Sequence, residues 1–214
     1  MDHRRFWVDQ TCVSLVGTFK FDFDPVSLRI LDPHRLYHSK KTKEVFYEFW
    51  DESTSILVPI DLAQYEPCEL CYDGAGLGTE GKTRGIGQLH QVAFTISDLV
   101  QCHRFREGRP LSFIFIMMNR GGLHEKLQRI PFSGVYSDYR GHDDEYEDVL
   151  QYVINKLCAA CDTSNDPGRE PVEMYHYVGQ PWEDSTVGFI LAALKSAKTN
   201  QDLVRHGIMR TGKV

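Results

Sequence analysis

A glycine-rich stretch divides the sequence into two parts with different hydrophobic periodicity. The residues from Cys68 to Gly87 read CELCYDGAGLGTEGKTRGIG and include six glycines. Glycine at this density permits positive φ and lets backbone N–H groups approach a ligand closely. Strand-like sequence precedes the stretch, and alternating helices and strands follow it. The stretch is therefore either a ligand-binding loop or a flexible connection between the two parts.

The first third of the chain predicts an antiparallel β-meander. From Thr11 polar and apolar residues alternate, and Asp24-Pro25 ends this strand because proline cannot donate to a ladder. Three shorter strands are predicted at Leu28–Leu31, Glu44–Trp50 and Ser55–Leu62. Pro59 favours an edge position or a bulge for the last of them. Closely spaced turns between short strands favour antiparallel pairing.

The second part predicts alternating helices and strands. Apolar residues at helical spacing predict helices from Gln88 to about Phe105 and from Asp143 to Cys161, and the apolar run Leu111–Met118 predicts a buried strand. A short helix at Leu123–Ile130, a strand at Met174–Val178 and a helix at Ser185–Lys198 complete the pattern. We therefore expect a single α+β domain over 1–214. It comprises an N-terminal antiparallel β-meander within about 1–66, a glycine-rich loop at 68–87, and a helix-strand-helix-strand-helix segment within 88–200.

Composition narrows the class of protein. A hydrophobic share of 42% and a charged share of 25% are typical of soluble globular proteins. The net charge of −6 makes nucleic acid an unfavourable partner, because nonspecific binding depends on attraction to phosphates. The sequence contains no apolar run long enough for a bilayer and no signal-peptide core near Met1. We expect a soluble cytoplasmic protein with no membrane partner, or one in a host cytosol if it is viral or delivered.

Residues Gly76 to Thr83 match the pattern GxxxxGK[ST] and so resemble a Walker A loop. In that family backbone N–H groups cradle the phosphates, the lysine reaches the terminal ones, and the hydroxyl helps hold Mg²⁺. The resemblance implies an Mg-nucleotide cofactor. The implied phosphate-binding residues are Gly76, Gly78, Gly81, Lys82, Thr83 and Arg84.

Two CxxC pairs, Cys68/Cys71 and Cys158/Cys161, indicate a second kind of site. Four thiolates can hold zinc in a tetrahedron, although free cysteines are also commonly buried as small apolar residues. The order is faintly similar to that of metal-bound HNH nucleases, in which CxxC pairs bracket a catalytic histidine. That similarity implies a zinc-stabilised nuclease-like protein with His90 as the candidate histidine and Asn155 before the second pair.

Aromatic residues in polar segments indicate a third possibility, a surface for another protein. Tyr136, Tyr139 and Trp182 fall in sequence that predicts loops, where tyrosine and tryptophan are typical interface anchors. The leading hypothesis is a binding or regulatory protein that acts through a protein–protein interface, with the Cys68–Gly87 loop and the tyrosine-bearing loop at Val135–His142 as the binding surfaces. The alternatives are an enzyme or sensor that binds a phosphorylated ligand or nucleotide at 76–83, and the zinc-stabilised nuclease-like protein.

Overall fold

The computed structural model describes residues 7–8, 17–23, 26–32, 55–66, 88–101, 111–162 and 172–206. The chain divides into two compact units, Met1–Ser53 and Thr54–Val214. That the whole chain forms a single domain stays a prediction.

The first unit contains an antiparallel sheet of three described strands. These are β1 (Trp7–Val8), β2 (Gly17–Phe23) and β3 (Val26–Asp32), in the order β1-β2-β3. Strands β2 and β3 pair along their whole length, from Gly17 opposite Asp32 to Phe23 opposite Val26. The predicted strands before and after Asp24-Pro25 are therefore confirmed as elements. The predicted strand at Glu44–Trp50 lies outside the described residues.

The second unit contains a parallel sheet flanked by helices. Its described strands are β4 (Ser55–Asp61), β5 (Ser112–Met118) and β6 (Glu173–Val178), in the order β4-β5-β6 with both pairs parallel. Its described helices are α1 (Gln88–Gln101), α2 (Arg120–Leu127), α3 (Phe132–Val135), α4 (Tyr146–Cys161) and α5 (Asp184–Arg205). Each of these helices is too short or too polar to cross a lipid bilayer.

The predicted fold class, α+β with an N-terminal antiparallel meander, is wrong, because the chain is α/β. Strand β4, the predicted last strand of the meander, instead pairs in parallel with β5, with Ser55 opposite Ser112 and Asp61 opposite Met118. Helix α1 lies between these two strands in sequence, and such a crossover is what parallel pairing requires. The apolar run of β4 also suits a parallel sheet better than a half-solvated meander. Strand β4 lies at an edge of the described sheet, a position that tolerates Pro59.

The central strand β5 contributes to apolar packing on both faces of the sheet. Phe113, Phe115 and Met117 belong to a large core with residues of α1 and α4, whereas Ile114 and Ile116 pack against Ala193 of α5. Burial on both faces explains why this strand is continuously apolar and does not alternate. The result is a sheet held between two helical layers, with its carboxyl edge available for side chains and loops.

Candidate functional site

The carboxyl edge of the parallel sheet carries a polar network between the ends of β4 and β5. The side-chain amide of Asn119 donates to the Asp61 carboxylate over 2.9 Å, and its carbonyl oxygen accepts from the Gly122 N–H over 3.1 Å. Asp61 also accepts from the Ala63 N–H at 3.0 Å and from Gln64 at 2.9 Å. These bonds fix where the chain leaves each strand. In open parallel sheets ligands bind at this edge.

Asn119 adopts an uncommon backbone conformation at this edge. Its φ of 63° and ψ of 44° lie in the left-handed region, which asparagine tolerates better than most residues. This conformation turns the chain directly from β5 into α2, so that Asn119 caps the helix it precedes. The helix predicted at Leu123–Ile130 therefore begins three residues earlier, at Arg120, with Asn119 as its cap.

The end of β6 is held to the same edge by backbone contacts. The Gly179 N–H donates to the carbonyl of Met117 over 3.1 Å, which continues the pairing of β5 and β6 by one residue. A Cβ atom at position 179 would lie 2.5 Å from the Thr186 hydroxyl oxygen. Glycine is therefore required here because α5 approaches the backbone too closely for a side chain.

A cleft of about 360 Å³ opens beside the ends of β5 and β6. Its volume falls at the small end of the range for ligand pockets. Its apolar lining comes from Met117, Leu150 and Val178, and its polar and charged lining comes from Asn119, Arg120, Tyr146, Glu147, Gln180 and Glu183. Polar and charged side chains outnumber apolar ones in this lining, so the cleft suits a polar or charged ligand better than an apolar one.

Arg120 and Tyr146 form the main contact across this cleft. The Arg120 guanidinium lies 4.4 Å from the centroid of the Tyr146 ring, within cation–π range, and 3.6 Å from the Glu147 carboxylate. Tyr146 is 8% exposed, and its hydroxyl is buried without a hydrogen-bond partner among the described residues. Burial raises the pKa of this phenol, and the nearby Arg120 charge partly offsets the rise. The hydroxyl therefore stays protonated at neutral pH and can donate or accept a bond from a ligand.

The residues predicted to bind phosphate lie outside the described residues. Gly76, Gly78, Gly81, Lys82, Thr83 and Arg84 all fall between Glu66, at the end of the described segment after β4, and Gln88, where α1 begins. Their role stays a prediction. The polar network at Asp61 lies on the strand from which this connection departs.

The predicted zinc ligands are only partly described. Cys68 and Cys71 lie outside the described residues, whereas Cys158 is exposed on α4 and Cys161 is buried. Burial, with a smaller contribution from Cys158, raises the pKa of Cys161 to about 12, which disfavours the thiolate that zinc requires. Within the described ranges, no three metal-ligating side chains are grouped closely enough to hold an ion. His90 lies exposed on α1 with its ring 4.9 Å from the Tyr136 ring.

The predicted partner-binding residues differ in exposure. Tyr136 is 1% and Tyr139 4% exposed, because both pack around Phe132 with ring centroids 4.6 Å and 4.9 Å from it. These tyrosines are core residues, and their rings do not offer the surface that an interface anchor needs. Trp182 is 77% exposed in the turn before α5, and its role in binding a partner stays a prediction.

Sequence reasoning did not bring together Asp61 with Asn119, or Arg120 with Tyr146, near the carboxyl edge. The signal that could have found them is positional. In a parallel sheet, polar residues directly after consecutive strands converge at one edge. Because β4 was predicted to belong to an antiparallel meander, the polar residue at its end could not be placed beside the end of β5.

Comparison with known proteins finds a distant relative. No family model matches the chain. The guanine nucleotide-binding protein alpha-7 subunit of Dictyostelium discoideum is 22% identical over 193 residues, which cover 90% of this chain and 43% of that protein. The chain therefore spans less than half the length of this relative.

Proposed function

We propose that this chain is a nucleotide-binding regulatory protein whose ligand lies at the carboxyl edge of the parallel sheet, on the side where β4 ends. The observation that carries the proposal is the network of Asp61 and Asn119 at the ends of adjacent parallel strands. Ligands of open α/β sheets bind at this edge. The similarity to a protein named for guanine nucleotide binding favours a guanine nucleotide over other ligands.

The glycine-rich stretch supplies the groups for the phosphates in this proposal. The connection that leaves β4 carries Lys82, Thr83 and Arg84 after closely spaced glycines. Their residue types suit phosphate and Mg²⁺, because backbone N–H groups and a lysine neutralise the phosphate charge. In a regulatory protein, the bound nucleotide alters the affinity for a protein partner. The proposal is therefore compatible with the hypothesis that the chain acts through a protein–protein interface.

Thermal unfolding in the presence of nucleotides tests the proposal. We expect GDP or GTP with Mg²⁺ to raise the melting temperature, since a ligand at a hundred times its Kd stabilises by about 2.7 kcal/mol. Adenine nucleotides should give a smaller shift at equal concentration. Lys82→Ala should abolish the guanine nucleotide shift, whereas Lys195→Ala, which removes the same charge at an exposed position on α5, should retain it. A protein whose melting temperature responds to no nucleotide would overturn the proposal.

A further inference from the structure

The cleft beside β5 and β6 already holds a cation from the protein itself. The Arg120 guanidinium rests on the face of Tyr146 and reaches Glu147, so a cation lies between a ring and a carboxylate. Arginine prefers this combination of an aromatic face and an acidic group. The contact shows that the cleft accommodates a guanidinium group.

The electrostatic surroundings of the cleft are acidic. Five of the six residues from Asp143 to Asp148 are aspartate or glutamate, and Glu183-Asp184 begins α5. Of these carboxylates, Glu147 and Glu183 line the cleft, whereas Asp143 bonds to Ser133 and Asp148 to His142. The two lining carboxylates exceed the single positive charge of Arg120, so the cleft favours a cation over a phosphate.

One residue of the cleft lining has a buried polar group without a partner. Tyr146 lines the cleft and is more than nine-tenths buried, and its hydroxyl has no hydrogen-bond partner in the described part of the chain. A buried hydroxyl left unpaired destabilises a protein by about 1–3 kcal/mol. The oxygen is inaccessible in the free protein, in which Arg120 lies over the ring, so a ligand can recover that energy only by displacing Arg120 and donating an N–H to this oxygen.

We propose that this cleft binds an arginine side chain from a basic segment of another protein. The guanidinium takes the place of Arg120 on the Tyr146 ring, between Glu147 and Glu183, and donates to the Tyr146 hydroxyl. The aliphatic part of the side chain packs on Met117, Leu150 and Val178. Trp182, which directly precedes Glu183 and is 77% exposed, offers an apolar surface next to the cleft for the rest of the segment.

Little free energy is needed to displace Arg120 from the Tyr146 ring. Its side chain is 65% exposed and that of Glu147 73% exposed, and an ion pair at 3.6 Å between such groups contributes little to stability. Once displaced, Arg120 remains solvated at the surface. The protein therefore carries an internal competitor that is weak enough for a partner to replace.

This site adjoins the proposed nucleotide site at Asn119, which lines the cleft and bonds to Asp61, but the inference does not rest on the nucleotide proposal. The nucleotide proposal concerns the end of β4 and the phosphate-binding residues after it, whereas the cleft is lined by the ends of β5 and β6 with α4 and the start of α5. The two sites also have opposite charge preference. Either proposal can fail without the other.

Fluorescence anisotropy with a labelled oligo-arginine peptide tests the inference on the full chain. We expect saturable binding that is stronger than that of an oligo-lysine peptide of equal length, because the planar guanidinium stacks on the ring. Glu147→Gln and Glu183→Gln should each weaken binding about three- to tenfold. Tyr146→Phe should weaken it about threefold without lowering the melting temperature, since it removes a hydroxyl that lacks a partner in the free protein.

The sharpest comparison uses two arginines. Arg120→Ala should tighten peptide binding about threefold, because the internal competitor is gone. Arg129→Ala removes the same charge from an exposed position outside the cleft and should change affinity by less than about 1.5-fold at physiological salt. Equal effects of the two substitutions, or unchanged binding in Glu147→Gln, would overturn the inference. Displacement of the peptide by GDP would also overturn it while leaving the nucleotide proposal intact.

Discussion

The side chains of Asp61 and Asn119, 58 residues apart in sequence, join the ends of β4 and β5 by a hydrogen bond of 2.9 Å. Asn119 makes this bond from a left-handed backbone conformation, which costs most L-residues about 1–2 kcal/mol and asparagine less. Its bonds to Asp61 and to the Gly122 N–H offset that cost. The carboxyl edge is therefore shaped by the protein before any ligand binds.

Replacing Asn119 separates the contribution of its bonds from that of its backbone conformation. We expect Asn119→Ala to lower the free energy of unfolding by about 2–3 kcal/mol, through the lost helix cap, the lost bond to Asp61 and the left-handed conformation. Asn119→Gly loses the same bonds but tolerates the conformation, so its loss should be about 1 kcal/mol smaller. Urea denaturation measures both. Equal losses would mean that backbone conformation contributes nothing at this position.

The salt bridge between Asp138 and Lys156 gives a pH dependence in acid. Lys156 bonds to one Asp138 oxygen and the Tyr152 hydroxyl donates to the other over 2.7 Å, and these contacts, Lys156 first, lower the pKa of Asp138 to about 2. Because the folded pKa is below the unfolded value near 3.8, this stability is complete above about pH 4 and lost as pH falls toward 2. The groups are partly exposed, so screening keeps the effect below about 1 kcal/mol.

Asp138→Asn should therefore lower stability at neutral pH and flatten its dependence on pH between about 4 and 2. Asp144→Asn removes the same charge from an exposed residue before α4 and serves as the control. Urea midpoints measured across this range compare the two variants. Parallel acid profiles for wild type and Asp138→Asn would contradict the assignment.

The buried tyrosines give a second pH dependence, at the alkaline end. Burial is the main cause that raises the pKa of Tyr65 and of Tyr139 to about 12. Because the folded pKa exceeds the unfolded value of 10.0, stability is complete below about pH 10 and falls as pH rises toward 12. Ultraviolet titration should show part of the tyrosine absorbance change only together with unfolding. A titration complete before the circular dichroism changes would contradict this packing.

How far the sequence predicts this fold depends on the range of the interaction involved. Periodicity predicted α1, β5 and α4 because each is specified by its own residues. The parallel pairing of β4 with β5 is different, because it places Asp61 opposite Met118. Residues so far apart in sequence are paired by the whole fold, and the local sequence does not specify such a register. The predicted helix between β4 and β5 was the feature that indicated a parallel crossover. It was not used, because β4 was predicted to belong to the antiparallel meander.

The candidate site was harder to predict for the same reason. The Tyr136 hydroxyl donates to the Tyr65 carbonyl over 3.2 Å, and this contact with a distant segment buries a ring that its polar neighbours place in a surface loop. Asn119 reaches Asp61 only because Met118 lies opposite that residue. A long-range pairing thus determines which polar residues become core residues and which form a site.

The two cysteines of α4 differ in reactivity, which tests the zinc hypothesis. Cys158 is exposed, whereas Cys161 is 6% exposed with its pKa raised to about 12. The thiolate is the reactive and metal-binding form, so we expect Cys161 to resist alkylation in the folded protein and to react after unfolding. Mass spectrometry of labelled peptides distinguishes the two positions. Zinc bound by the purified protein and lost in Cys161→Ala would contradict this expectation and favour the shared metal site.

Two neighbouring glycines of α2 provide a matched pair of substitutions that tests the hydrogen bonds of Asn119 at the carboxyl edge. A Cβ atom at Gly122 would lie 2.4 Å from the side-chain oxygen of Asn119, whereas one at Gly121 would meet nothing within 4 Å. Gly122→Ala must therefore displace Asn119 from its cap and from Asp61, and we expect a loss of about 1–3 kcal/mol in unfolding free energy. Gly121→Ala should instead stabilise by about 0.5–1 kcal/mol, because alanine favours the helix over glycine. If urea denaturation shows that one alanine stabilises and the other destabilises the protein, Asn119 constrains position 122. If both alanines stabilise it, the hydrogen bonds of Asn119 can rearrange without loss of stability.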